Sequence, residues 1–130
     1  MRRMMKFRVR TGVGLVMFIG VILWLFVSLS GMQHRRRLCA IHAQRYRVLE
    51  KDTSAQLAHE TNVLSRLKFG GYPDLTVVQR QRAIRSMSRY VEQMERTVEW
   101  NRRLRIAFED VVDHPWRKMH PTLLHILNGD

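Results

Sequence analysis

The chain has 130 residues and a formal net charge of +12, a length that leaves room for one small domain at most. Its single cysteine, Cys39, excludes an internal disulfide framework and any cysteine-based zinc site assembled within one chain. Arginine greatly outnumbers lysine in the basic excess, and such a surface attracts phosphates, anionic headgroups or acidic protein faces without choosing among them.

Residues 1–11 form a basic tail (Arg2, Arg3, Lys6, Arg8, Arg10) with no acidic residue. From Gly12 to Met32 there is no charge at all, and a helix of about 20 apolar residues spans the ~30 Å hydrocarbon core, so residues 12–32 are predicted to be a transmembrane helix. Arg8 and Arg10 on one side and Arg35, Arg36 and Arg37 on the other are placed to snorkel to the headgroups. A cleaved secretory signal is the competing reading, with Ser28 and Ser30 at a cleavage spacing. The apolar run exceeds a usual signal core and no alanine pair marks a cut, which favours a retained signal-anchor. Basic residues flank both ends almost equally. The short tail argues for a cytoplasmic N-terminus, because long C-terminal regions translocate largely regardless of charge.

Residues 33–113 read as a helical hairpin with its turn at 70–76. No proline or glycine interrupts Gln33 to Phe69, and Gly70 suits a left-handed helix cap ahead of Pro73. Thr76-Val77-Val78-Gln79 has the spacing of a capping box that opens a second helix to Asp113. Val77, Ile84, Met87, Val91, Met94 and Val98 alternate three- and four-residue spacing, drifting to Leu104, Phe108 and Val111. The matching stripe on the first helix runs from Cys39, Ala43, Tyr46 and Leu49 through Thr53 and Leu57 to Leu64 and Leu67. A turn centred near Gly71 and Tyr72 pairs residues whose numbers sum to about 144, such as Leu57 with Met87 and Tyr46 with Val98. The expected fold is therefore all-α: one transmembrane helix followed by a long antiparallel, coiled-coil-like two-helix hairpin.

Opposite that seam, Arg82, Arg89, Arg96 and Arg103 recur every seven residues, roughly 10 Å apart along the helix. This ladder reads either as an interaction face or as a solvated face neutralised by Glu92 and Glu99, each four residues ahead of an arginine. Cys39 lies one or two turns beyond the span, and is the candidate for an intermolecular thiol between two anchored copies, against the alternative of burial beside Leu104. The histidines lack metal-ligand spacing, and Cys39-Ala40-Ile41-His42 lacks the second cysteine of a haem attachment site. No nucleophile elbow, phosphate loop or carboxylate pair is present, so no catalytic, cofactor or metal residue is assigned. Tyr90 and Trp100 are isolated rather than arrayed, which argues against nucleic acid as a partner.

After Asp113 the prolines Pro115 and Pro121 end the second helix, leaving residues 114–130 as a tail with an apolar patch at Thr122–Leu127. Trp116, Arg117 and Lys118 are the candidate interfacial anchor, and packing of the patch over the open end of the hairpin is the equal alternative.

The chain resembles small single-pass membrane proteins of unknown function from planctomycete bacteria. The likeness lies in Phe7-Arg8-Val9-Arg10-Thr11 before the span, Arg35–Arg37 after it, helices rich in His, Tyr and Arg, and the Pro115-Trp116 pair. Where such proteins continue into a proline-rich tail, this chain continues as Arg117-Lys118-Met119. The resemblance implies no activity. The functional expectation is a non-enzymatic, membrane-anchored module that self-associates or docks a protein in an envelope assembly. The alternative is a peripheral binder of anionic lipid or nucleic acid working through the arginine face.

Overall fold

A computed structural model describes the backbone of residues 2–129 and the side chains of residues 13–129, so the expectations for the basic tail side chains lie outside the described residues. The described chain is all-helical, with α1 (Arg2–Lys68), α2 (Val77–Asp113) and α3 (Pro121–Asn128). Helix α1 passes through the apolar run and into the hairpin without a break. Nothing packs on the run, whose large side chains from Val13 to Met32 are all exposed. By length and composition this part of α1 can cross a membrane.

The turn follows from three local features. Gly70 adopts φ +81° and closes α1, because only glycine takes the left-handed conformation there without steric cost. The Gly71 N–H then donates to the Arg66 carbonyl at 2.8 Å. Thr76 caps α2: the Gln79 N–H donates to Thr76 Oγ1 at 3.3 Å and the Thr76 N–H donates to Gln79 Oε1 at 3.1 Å, the reciprocal pair of a capping box.

The hairpin register differs from expectation. Arg47 bonds Glu109, Arg105 bonds Glu50 and Tyr46 stacks on Phe108, so facing residues sum to about 155 rather than 144, a slide of about three helical turns. The connection accounts for it. Residues 69–75 fold beside the first turns of α2, where Arg80 Nη2 donates to the Tyr72 carbonyl, so those turns overhang the end of α1. Val77, expected in the seam, is 71% exposed, and Leu49 is also exposed while Glu50 is turned toward α2.

The apolar core is concentrated at the end of the hairpin nearest the apolar run. Cys39 and Ala43 of α1 and Leu104, Phe108 and Val111 of α2 bury one another, and Leu123 of α3 completes the cluster. Phe108 has no exposed surface and is stacked by His42 at 5.2 Å and Tyr46 at 5.7 Å between ring centroids. Above this cluster the seam is thin, with Val91, Met94, Leu64 and Leu67 buried and Asn101 the buried polar residue between its two halves.

Within residues 114–130, the apolar patch is itself helical. His120 caps α3, accepting from the Thr122 N–H, Pro121 occupies its first turn and Gly129 closes it at φ +77°. Proline just inside a start and glycine just past an end are ordinary helix punctuation. Once formed, α3 turns Leu123 into the core cluster, with Ile126 and Leu127 packed against it.

Candidate functional site

The arginine ladder divides in two. Arg96 bonds Glu92 at 2.7 Å and Arg103 bonds Glu99 at 2.9 Å, both exposed i,i+4 pairs. Arg82 and Arg89, nearer the turn, have no ion-pair partner among the described residues. The lower rungs are therefore a neutralised solvated face, and the upper rungs belong to a different environment.

That environment is the hairpin tip. From Leu64 to Tyr90 the sequence carries Arg66, Lys68, Arg80, Arg82, Arg85 and Arg89 against one carboxylate, Asp74. The ion pairs among the described residues use Arg47, Glu50 and residues from Glu92 to Arg117, so none neutralises the tip. Beyond the apolar run, the two most exposed large apolar side chains are both here: Phe69, 91% exposed, and Val77. Val78 and Tyr72 are exposed beside them in sequence. Reading the ladder as one stripe missed this grouping, because it is the turn that brings Lys68 and Phe69 to the same end as Arg80 and Arg82.

Lower down, four charges are interlocked across the seam. Arg105 donates through Nε to Glu50 at 2.6 Å and through Nη1 to Glu109 at 2.8 Å, while Arg47 donates to the other Glu109 oxygen at 2.7 Å. Arg47, Arg105 and Glu109 line a shallow groove of about 430 Å³ with Ala40, Ala43 and Asp113. Arg47 and then Arg105 hold the Glu109 carboxyl below the ordinary glutamate value of 4.5, against the opposing effect of partial burial. A carboxyl whose folded pKa is depressed stabilises the fold above its unfolded pKa, and that contribution is lost as pH falls through the folded value. Acid titration followed by circular dichroism should therefore show stability falling from about pH 4.5 downward, and Glu109→Gln should flatten that part of the profile. An unchanged profile in the variant would remove this cluster from the pH response.

Of the two positions expected for Cys39, the structure has the one buried beside Leu104. It has no exposed surface and sits in the intrachain core with Leu104 and Phe108, so it is not presented to a second copy. Burial pushes the thiol pKa up, opposed by the Arg35 cation one turn away, and a protonated, shielded thiol is a poor nucleophile. Maleimide labelling of the folded chain should be slow and become fast only in denaturant. Equal rates in both conditions would place the thiol on the surface.

Trp116 is exposed and meets His114 edge to face at 5.6 Å, and Arg117 Nη1 donates to Asp110 at 3.3 Å. Lys118 is exposed. These residues lie at the end of the hairpin nearest the apolar run, since Asp113 shares the groove with Ala40 and Met119 packs on the core cluster. The apolar patch packs over the hairpin while the Trp-Arg-Lys segment stays outside. Among the described residues no group of three or more His, Cys, Asp or Glu side chains is placed to hold a metal ion.

No family model, curated protein or solved structure matches this chain. The functional reading therefore rests on its own residues.

Proposed function

We propose that the chain is a membrane-anchored helical interaction module that acts by contact rather than by catalysis, with its N-terminus in the cytoplasm and its hairpin outside it. The observation that carries this is the continuity of α1: one helix runs from an uncovered apolar segment straight into a folded hairpin. A bilayer holding the first part would present the second as a stiff post rather than as a domain on a loose tether. The hairpin is a narrow antiparallel pair that hides one face of each helix, leaving Ile41, Val48, Trp100 and Ile106 exposed. Docking to a protein partner or to a second copy would cover such surface.

The test is made on membranes from cells producing the full chain. The protein should stay with the membrane through alkaline carbonate extraction, and amine-reactive crosslinker should shift it to discrete larger species. Release by carbonate would end the anchor reading, and crosslinking that never yields more than monomer would end the interaction reading. A reporter active only in the cytoplasm, fused after Asp130, should be silent; activity would reverse the orientation. Of the alternative partners, anionic lipid is favoured by one specific observation, the unneutralised tip.

A further inference from the structure

We propose that the tip of the hairpin is a lipid-docking surface that binds the anionic face of a second bilayer, facing the one that holds α1. The inference rests on the reading of α1 as a membrane anchor and names what the far end of the post would touch.

Three observations converge on it. The first is apolar exposure: Phe69 is 91% exposed and Val77 71%, at the free end of the fold rather than along a seam where another helix of the same chain covers them. The second is charge. Six cations stand against one carboxylate between Leu64 and Tyr90, and no ion pair among the described residues neutralises them, whereas Arg96, Arg103 and Arg105 lower on α2 are paired with glutamates. The third is the register. Because the first turns of α2 overhang the end of α1, Val77 and Val78 are left in solvent near the glycine turn.

An apolar apex ringed by arginine and lysine suits a lipid surface in particular. Phe and Val side chains enter the boundary between headgroups and acyl chains, while the cations stay at the phosphate level and bind more strongly as the anionic lipid fraction rises. The apex is convex, being the end of a two-helix hairpin, and a bilayer accepts a convex apolar wedge without requiring a preformed pocket. From Met32 to Lys68 α1 rises about 54 Å, so the tip stands well away from its own bilayer and is presented to whatever lies opposite.

The experiment uses the full chain reconstituted in neutral phosphatidylcholine vesicles, with the outward-facing fraction counted by protease accessibility. Flotation first establishes that the protein stays with these donor vesicles; a chain that leaves them overturns the anchor reading and this inference with it. Acceptor vesicles of phosphatidylcholine alone, or with about one third phosphatidylglycerol, are then added and clustering is followed by light scattering. Clustering is expected with anionic acceptors only, weakening as salt is raised. Phe69→Ser with Val77→Ser should require at least about tenfold more acceptor lipid, and Arg82→Gln with Arg85→Gln should do the same, with helicity unchanged because all four side chains are exposed. Equal clustering with neutral acceptors, no clustering, or undiminished clustering in either pair of variants overturns the proposal. Binding of soluble polyglutamate in place of anionic vesicles overturns it in favour of an acidic protein partner.

Discussion

Replacing Phe108 by alanine is expected to cost the hairpin about 3–5 kcal/mol, the range for truncating a buried phenylalanine where neighbours cannot close the gap. The ring has no exposed surface and is held between His42 and Tyr46. Its loss removes the contact that joins α1 to α2 at the thickest part of the core. Overall stability of a small domain is only about 5–15 kcal/mol, and the seam above this point is thin, so the variant should be largely unfolded beyond the apolar run at moderate temperature. The measurement is thermal melting of the full chain in detergent, followed by circular dichroism. The apolar part of α1 should stay helical in the micelle, so the variant should retain a baseline of ellipticity while losing the cooperative step. In a domain of this size 1 kcal/mol corresponds to about 4–8 °C in Tm. A shift smaller than that would mean the hairpin is held together elsewhere.

The second large effect is expected at Leu123, the residue by which α3 joins the core cluster. It is buried against a cluster that includes Cys39, while its neighbour Leu124 is exposed. Leu123→Asp would put a carboxylate among apolar side chains, a burial a charged group avoids at a cost of several kcal/mol. The cheapest response is for α3 to lift away, and its loss would uncover the thiol. Each 1.4 kcal/mol favouring the open form multiplies its population about tenfold, so maleimide labelling of Cys39 should accelerate by at least that factor while α1 and α2 stay helical. Leu124→Asp is the control and should leave the rate unchanged. If both variants label at the rate of the unaltered protein, α3 does not cover Cys39.

How far the sequence could be read depended on how local each feature is. The apolar run, the left-handed cap at Gly70 and the capping box at Thr76–Gln79 are set within a few residues, and the structure has all three. The hairpin register is not local. It depends on how residues 69–75 fold against Arg66 and Arg80, a matter of hydrogen bonds that hydrophobic spacing does not encode. Once the register slid, Val77 left the seam, and Arg105 came opposite Glu50, so that of the charge cluster the Arg105–Glu109 pair alone follows an i,i+4 spacing and the cross-helix bonds to Glu50 and Arg47 do not. Helix α3 was within reach of the sequence through Pro121 and Gly129, but at eight residues its apolar content looked like a tail patch. The arginine ladder was correctly spaced and wrongly grouped: its lower half is spoken for by glutamates on the same helix, and its upper half belongs with Lys68 and Phe69 across the turn.

If α1 is anchored in a bilayer as proposed, its unbroken course also makes the molecule a lever. A transmembrane helix tilts by about 20° on average and by more or less as bilayer thickness changes. With no hinge between Met32 and Lys68, that tilt is transmitted whole. Over an arm of about 54 Å, a 20° lean carries the far end sideways by roughly 18 Å and lowers it by about 3 Å. Thinning or thickening of the host membrane would thus sweep Phe69 across a wide arc at nearly constant height, converting a change in lipid thickness into a lateral search.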